Sequence, residues 1–270
     1  MAQAAELFSG SVPEAYDRYM VPMLFEAYAE DMSQRVLARK PSSILETAAG
    51  TGVVTRVLSA RVSPDVRYVA TDISEAMIAH AQSRIAHEGR VEWQRADALS
   101  LPFADASFDV VLCQFGAMFF PDRTAGFAEA RRVLRPRGSL IFSTWDSLAT
   151  NDFAAVINDA AAAVFPDNPP QFFARTPHGY FDLDKIRGDV AKAGFTDITI
   201  ETIEKTSTAP SARLPALALC GGTPLRGEVD ARDPALFDEL VDRASKAIEE
   251  KFGAGEVAGR MTAHIVTACG

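Results

Sequence analysis

The chain has 270 residues, 48% apolar and 23% charged, which is enough for one sizeable core and is the balance of an ordinary soluble globular protein. A formal net charge of −9 sets it against a surface built to neutralise phosphates, so no nucleic-acid partner and no stable association with an anionic membrane is expected. Its three cysteines, Cys113, Cys220 and Cys269, are far apart and form no CxxC or Cys/His cluster, which argues against a disulfide framework or a metal site.

The stretch from Met1 to Gly10 has neither the basic start nor the apolar core of a signal peptide, and no apolar run approaches the roughly 18 residues that span a bilayer. A cytoplasmic protein is the expectation. Residues 12–40 read as a mostly helical cover. Short runs rich in Val, Ile, Leu or aromatic residues then predict strands at Ser43–Ala48, Arg67–Thr71, Val91–Arg95, Asp109–Cys113 and Gly138–Thr144. Between them Ile78, Ala81 and Ile85, and likewise Phe127, Ala130 and Leu134, recur at helical spacing. Apolar strands alternating with amphipathic helices predict a parallel sheet covered on both faces, and right-handed crossovers make it doubly wound.

Asn151–Phe181 reads as an insertion, with a short helix around Val156–Val164 and then a Pro/aromatic loop. Leu183, Ile186, Val190 and Ala193 stripe a helix stopped by Gly194, and Asp197–Ile203 reads as a sixth strand. Gly221, Gly222, Pro224 and Gly227 mark a loop; Asp233–Pro234 opens a helix striped by Phe237, Leu240, Val241, Ala244 and Ile248 and ended by Gly253. Met261–Ala268 is the last strand. The expected architecture is α/β: one domain over 1–270 with a doubly wound, mostly parallel seven-stranded sheet, a cover at 12–40, and insertions at 150–181 and 205–258 that shape a lid.

Chemistry concentrates in three places. In Ile44-Leu45-Glu46-Thr47-Ala48-Ala49-Gly50-Thr51-Gly52 a strand runs through a small-residue loop into a helix, and glycines there let a ligand lie against backbone. Glu46 can accept from a ligand cation or order water around one. A dinucleotide site would want G-x-G-x-x-G, but the third glycine position holds Thr55. Asp72, at the end of the second strand, is placed to take both hydroxyls of a ribose, or to cap the helix beginning at Glu75. Either a nicotinamide or an S-adenosylmethionine cofactor fits those two features. The third place is Arg95-Ala96-Asp97-Ala98-Leu99-Ser100-Leu101-Pro102-Phe103, followed by Phe108-Asp109-Val110-Val111.

With these residues in order, the chain resembles the class I S-adenosylmethionine-dependent methyltransferases, in the branch that holds the ubiquinone- and menaquinone-biosynthesis enzymes and many small-molecule methyltransferases. The resemblance runs from Ile44 to Phe195 and is carried by ILETAAGTG, ATDISEAMI, ADALSLPF, FDVVLCQFGAMFFPD and RVLRPRGSLIFSTWD; Val12–Tyr19 also looks like the opening segment of such enzymes. It implies a Rossmann-like methyltransferase fold, S-adenosylmethionine as cofactor, S-adenosylhomocysteine as product, and a small-molecule acceptor. It also implies that Glu46 faces the methionine amino end and that Ala48, Gly50, Thr51 and Gly52 line the methionine and ribose. Asp72 would hold the ribose, with Ile73 and Met77 against the adenine. Asp97 would accept from the 6-amino group, with the Ala98 N–H on the ring, and Gln114 and Phe115 would face methionine and acceptor. The family's first loop glycine is Ala48 here, so the backbone must tolerate a Cβ.

Other features read more plainly. Asn168-Pro169-Pro170-Gln171 is a loop, since an amino-methylating Asn-Pro-Pro-aromatic motif would follow the fourth strand and end in an aromatic residue. Cys113 reads as a small buried apolar residue. His178 could act as a general base, though a surface-loop histidine is the simpler expectation; His264 reads as structural, and His80 and His87 as exposed. Phe115, Met118, Phe119 and Phe120 form an apolar cluster. Phe172, Phe173, Tyr180 and Phe181, with Tyr16 and Tyr19, are positioned to close a lid. No catalytic residue is nominated, because methyl transfer needs a base only when the acceptor atom is protonated. A non-catalytic binder of S-adenosylmethionine or S-adenosylhomocysteine and a nicotinamide-dependent oxidoreductase remain the alternatives.

Overall fold

The computed structural model describes residue 14 and residues 16–85 and 89–270; Val12, Pro13, Ala15 and His87 lie outside the described residues. Seven strands form one sheet in the order β3-β2-β1-β4-β5-β7-β6. They are β1 (Ser43–Glu46), β2 (Arg67–Asp72), β3 (Glu92–Arg95), β4 (Phe108–Gln114), β5 (Leu134–Trp145), β6 (Asp197–Ala209) and β7 (Val257–Cys269). β1 to β5 run parallel, and β7 enters antiparallel between β5 and β6. The expected doubly wound, mostly parallel, seven-stranded architecture is therefore the one found.

The core follows from where each strand sits. β1 and β4 are central, and all of Ser43–Glu46 is buried, as two-sided coverage requires. Strand order reverses between β1 and β4, and that switch point opens a crevice at their carboxyl ends. Asp122 and Asp182 accept from Ala125 N–H (2.9 Å) and Lys185 N–H (2.7 Å), starting the helices Arg123–Val133 and Leu183–Lys192.

Several boundaries differ from expectation. β6 and β7 pair from Asp197–Cys269 to Ala209–Val257, far beyond the apolar runs that marked them. The polar residues of β6 alternate onto an exposed face, so hydropathy under-reads that strand. The second insertion accordingly begins after Ala209 instead of at 205. The first insertion's helix starts at Asp152, and Ile85 and Leu134 fall just outside the helices whose stripes they seemed to continue. The N-terminal cover comprises a wide-wound helical segment, Tyr16–Phe25, and an α-helix, Glu26–Ala38. Among the described residues no helix is long and apolar enough to cross a membrane.

Candidate functional site

The loop after β1 passes through three left-handed residues: Ala48 (φ 52°), Gly50 (φ 57°) and Gly52 (φ 78°). Ala48 carries a Cβ in a conformation that costs about 1–2 kcal/mol for any residue but glycine. What makes room for it is Gly116, on the turn after β4, where an added Cβ would lie 2.5 Å from Ala48 Cβ and 2.8 Å from Cys113 Sγ. The glycine missing from the β1 loop is thus matched by one on the facing loop. Gly50 borders open space, whereas a Cβ at Gly52 would meet Ala81 and Trp93 at 3.1 and 3.2 Å. A side chain at Gly52 would therefore disturb the packing of Ala81 and Trp93.

Asp72 fixes this turn. Its Oδ2 accepts the Gly50 N–H and its Oδ1 the Ser74 N–H, both at 2.8 Å, so one buried carboxylate joins the loops after β1 and β2. Burial raises its pKa, while those N–H groups work to hold it ionised. The cap at the next helix is Ser74, whose hydroxyl accepts from Met77 N–H at 3.3 Å, not Asp72. Met77 is buried beside half-buried Ile73.

Glu46 is fully buried, and both Thr55 (2.7 Å) and Tyr68 donate hydroxyls to its Oε2. Burial, reinforced by nearby Asp72, pushes its carboxyl up to about 7 against the pull of those hydroxyls. Thr55, at the third glycine position of a dinucleotide fingerprint, thus supports the acidic residue of β1.

After β3, Asp97 closes a tight loop, its Oδ1 accepting Leu99 N–H and its carbonyl Ser100 N–H, both at 3.0 Å. Arg132 pins the same loop by donating to the Leu101 (2.9 Å) and Phe103 (2.8 Å) carbonyls. Ala98 lines a small apolar cavity with Leu101, Cys113 and Phe127. Three buried oxygens on this edge have no protein partner: Asp97 Oδ2, Thr51 Oγ1 and Gln114 Oε1. An orphan of this kind costs about 1–3 kcal/mol unless a bound molecule satisfies it.

Phe115 follows β4 in a second left-handed turn (φ 52°) and stacks on Trp145 at 3.9 Å with ring planes 9° apart. This pair floors an apolar cavity adjoining the polar crevice. Tyr16 and Phe25, themselves stacked at 5.2 Å, wall it from the N-terminal segment; Phe172, Phe173 and His178 come from the first insertion, and Leu219 and Thr223 from the second. Phe119 and Met261 also line it. Burial and the Asp72 carboxylate raise the Tyr16 hydroxyl well above its ordinary value. Cys113 is buried, as expected, and its thiol is pushed up to about 11.

Other expectations are corrected. His178 is not a surface histidine: it is buried, with Nδ1 2.7 Å from the Asp146 carbonyl. A carbonyl only accepts, so Nδ1 carries the proton and Nε2 keeps its lone pair. Burial holds the ring's pKa down at about 4. Tyr180 is an anchor instead of a lid residue, fully buried and donating to Asp189 at 3.1 Å beneath Arg123; Phe181 is exposed, and Tyr19 lies outside the cavity wall. His80 is half-buried 3.4 Å from Asp17. Asp17 escaped the sequence reading. It is buried and pairs with Arg56 (2.9 Å) and Arg84 (3.1 Å), while Arg56 also donates to the Thr51 carbonyl at 2.7 Å. That ion cluster ties the N-terminal segment to the β1 loop, and no local motif announces a pair so distant in sequence.

A doubly wound sheet with a glycine turn, an acidic residue ending β2 and an orphaned acceptor after β3 is the arrangement that an adenosine cofactor requires. Comparison with known proteins narrows the class. Residues 44–138 match the family profile described as a methyltransferase domain. The chain is 34% identical over 158 residues to a demethylmenaquinone methyltransferase of Deinococcus radiodurans, covering 57% of this chain and 65% of that protein, just under two thirds of its length. It is 27% identical over 221 residues to the methyltransferase ktnA of Aspergillus niger, covering 69% and 71%. An S-adenosylmethionine-dependent methyltransferase structure from Thermotoga maritima shares the fold at a TM-score of 0.56, with 17% identity over 98% of this chain and 99% of that one. Residues 44–138 thus carry a methyltransferase domain, and across it the chain is similar to the ubiquinone- and menaquinone-biosynthesis methyltransferases.

Two outcomes follow for variants. Gly116→Ala should cost about 1–3 kcal/mol in urea unfolding. In an Ala48→Gly background that cost should shrink by on the order of 1 kcal/mol, because the 2.5 Å encounter disappears; equal costs in both backgrounds would contradict the pairing. Glu46's pKa is raised on folding, so its contribution is fully present below about pH 4.5 and is lost as pH rises through about 7. Glu46→Gln should therefore leave stability near wild type at pH 5 and raise it by on the order of 1–3 kcal/mol at pH 8; thermal melts at the two pH values test this.

Proposed function

We propose that this chain transfers the methyl group of S-adenosylmethionine to a small molecule held in the aromatic cavity. The observation that carries the reading is the pairing of two compartments at one sheet edge. One is polar, with orphaned acceptors; the other is apolar; Tyr16 and Phe115 stand between them.

The polar residues fit the family's cofactor. Asp72 would take ribose hydroxyls, Asp97 Oδ2 the adenine amino group, and Glu46 and Gln114 the amino-acid end, with Gly50 leaving the close approach open. Bound there, the cofactor supplies an electrophilic methyl group on a sulfonium centre. The protein's part is alignment and exclusion of water, which can contribute on the order of 7–11 kcal/mol. The Phe115–Trp145 stack presents a flat apolar surface for the acceptor. The segment Tyr16–Phe25 covers it from above and is clamped to the β1 loop through Asp17 and Arg56. His178, neutral with its Nε2 lone pair retained, would receive the proton when the acceptor atom carries one.

The test is transfer of a labelled methyl group from S-adenosylmethionine to a panel of hydroxyaromatic acids, with S-adenosylhomocysteine measured as co-product. Asp97→Asn should weaken S-adenosylhomocysteine binding about tenfold or more, since its new N–H₂ group can face the adenine amino group donor to donor. Binding without transfer to any acceptor would favour a non-catalytic binder. With a hydroxyl acceptor, the rate should hold level from pH 8 down to about pH 5, because an imidazole depressed to about 4 stays unprotonated over that range. His178→Ala should lower kcat about a hundredfold with the cofactor KM within twofold; a decline centred near pH 6.5, or an unchanged kcat, would remove His178 from this role.

A further inference from the structure

The hydrogen-bonding groups of the cavity can be accounted for one by one. Asn151 donates to the carbonyls of Asp146, Ser147 and Thr262 and accepts the Thr262 N–H. Ser207 donates to the Met23 carbonyl at 2.9 Å. Thr223 donates to the Leu219 carbonyl and accepts the Leu225 N–H. Tyr16 is engaged beside Asp72. Three capacities remain: Nε2 of His178, the indole N–H of Trp145, and the guanidinium of Arg260, which spends one Nη2–H on the Ala149 carbonyl at 2.7 Å.

Arg260 is the one formally charged side chain among the described residues that line the cavity. It is exposed and makes no ion pair among the described residues. The carboxylate of Asp152 takes the Arg260 backbone N–H at 2.8 Å and pairs with Lys251 at 3.4 Å. Among the described residues no aspartate or glutamate lines the wall. An ammonium acceptor would therefore leave water for an apolar surface that offers it no counter-charge, which is costly. An acidic molecule meets a forked cation whose remaining N–H groups match two anionic oxygens.

Resting on the methyltransferase reading, we propose that Arg260 selects the acceptor and that the acceptor class is an apolar, largely planar molecule bearing an anionic group. The ring system lies against Phe115 and Trp145, the anion meets Arg260, and a hydroxyl or similar proton donor faces Nε2 of His178. Arg260 is thus a specificity-determining residue at the mouth, away from the atoms that exchange the methyl group.

A matched pair of fluorescent probes tests this without knowledge of the natural acceptor: 8-anilinonaphthalene-1-sulfonate, anionic, and N-phenyl-1-naphthylamine, its neutral analogue. Both are titrated into the full chain saturated with S-adenosylhomocysteine. Arg260→Gln should weaken the anionic probe about tenfold and leave the neutral probe within twofold. Arg260→Lys should recover part of the loss, and raising the salt concentration should erode the wild-type preference. If Arg260→Gln leaves the anionic probe unchanged, or weakens both probes equally, the proposal is overturned. The cofactor reading has its own readout, the thermal shift of each variant with S-adenosylhomocysteine. A shift that persists while the probes fail to discriminate sinks the anionic-acceptor proposal alone. Absence of any shift in the wild-type chain sinks the methyltransferase reading instead.

Discussion

A single carboxylate, Asp72, accepts one N–H from the loop after β1 and another from the loop after β2, and the architecture of the site is built on that double bond. It holds Gly50 in a left-handed turn, which keeps the backbone low at the switch point and the space above it open. The neighbouring left-handed residue, Ala48, is tolerated because Gly116 recedes on the facing loop. Phe115, next to Gly116, turns the same way and puts its ring flat on Trp145. Backbone strain at the ends of two adjacent strands thereby fixes both the polar crevice and the floor of the apolar cavity.

Charge is distributed with the same economy. Glu46 and Asp72 lie buried close together, each raised in pKa by desolvation. In the folded chain this is a standing cost, and a ligand that brings positive charge or hydrogen-bond donors to that edge relieves it. The Asp17–Arg56 pair works in the opposite direction. Its carboxylate is held below the ordinary range by surrounding cations despite burial, and it clamps the N-terminal segment across the loop. Closure over the cavity and the shape of the β1 turn are coupled through Arg56, which touches both.

Much of this was legible in the sequence because its signals are local. The strand-turn-helix spacing around Glu46, Gly50 and Asp72 predicts the sheet and the crevice, since each feature lies within a few residues of a strand end, while the choice of S-adenosylmethionine over a nicotinamide cofactor comes only with the segment holding Asp97 and the resemblance it completes. What escaped depends on contacts between distant segments. The burial of His178 is decided by Trp145 and Phe173 packing about its ring and by the Asp146 carbonyl, none of which its own loop reveals. Gly52 has the spacing of a ligand-lining glycine, and the packing of Ala81 and Trp93 against the place a side chain would take is a second demand that its sequence neighbours do not show. The full length of β6 was hidden because Thr, Glu and Lys alternate along its exposed face. Arg260 lies one residue before the last strand that the sequence predicts, and nothing marks it until the rest of the wall proves uncharged.

Titration calorimetry with S-adenosylhomocysteine, set beside NAD under identical conditions, tests the central claim most directly. The account predicts one site per chain for the homocysteine compound, no measurable heat from NAD, and loss of the site in Asp72→Ala. One-to-one binding of NAD with none of the homocysteine compound would contradict the assignment of Asp97 and, with it, the placement of this crevice among the methyl-transferring sites.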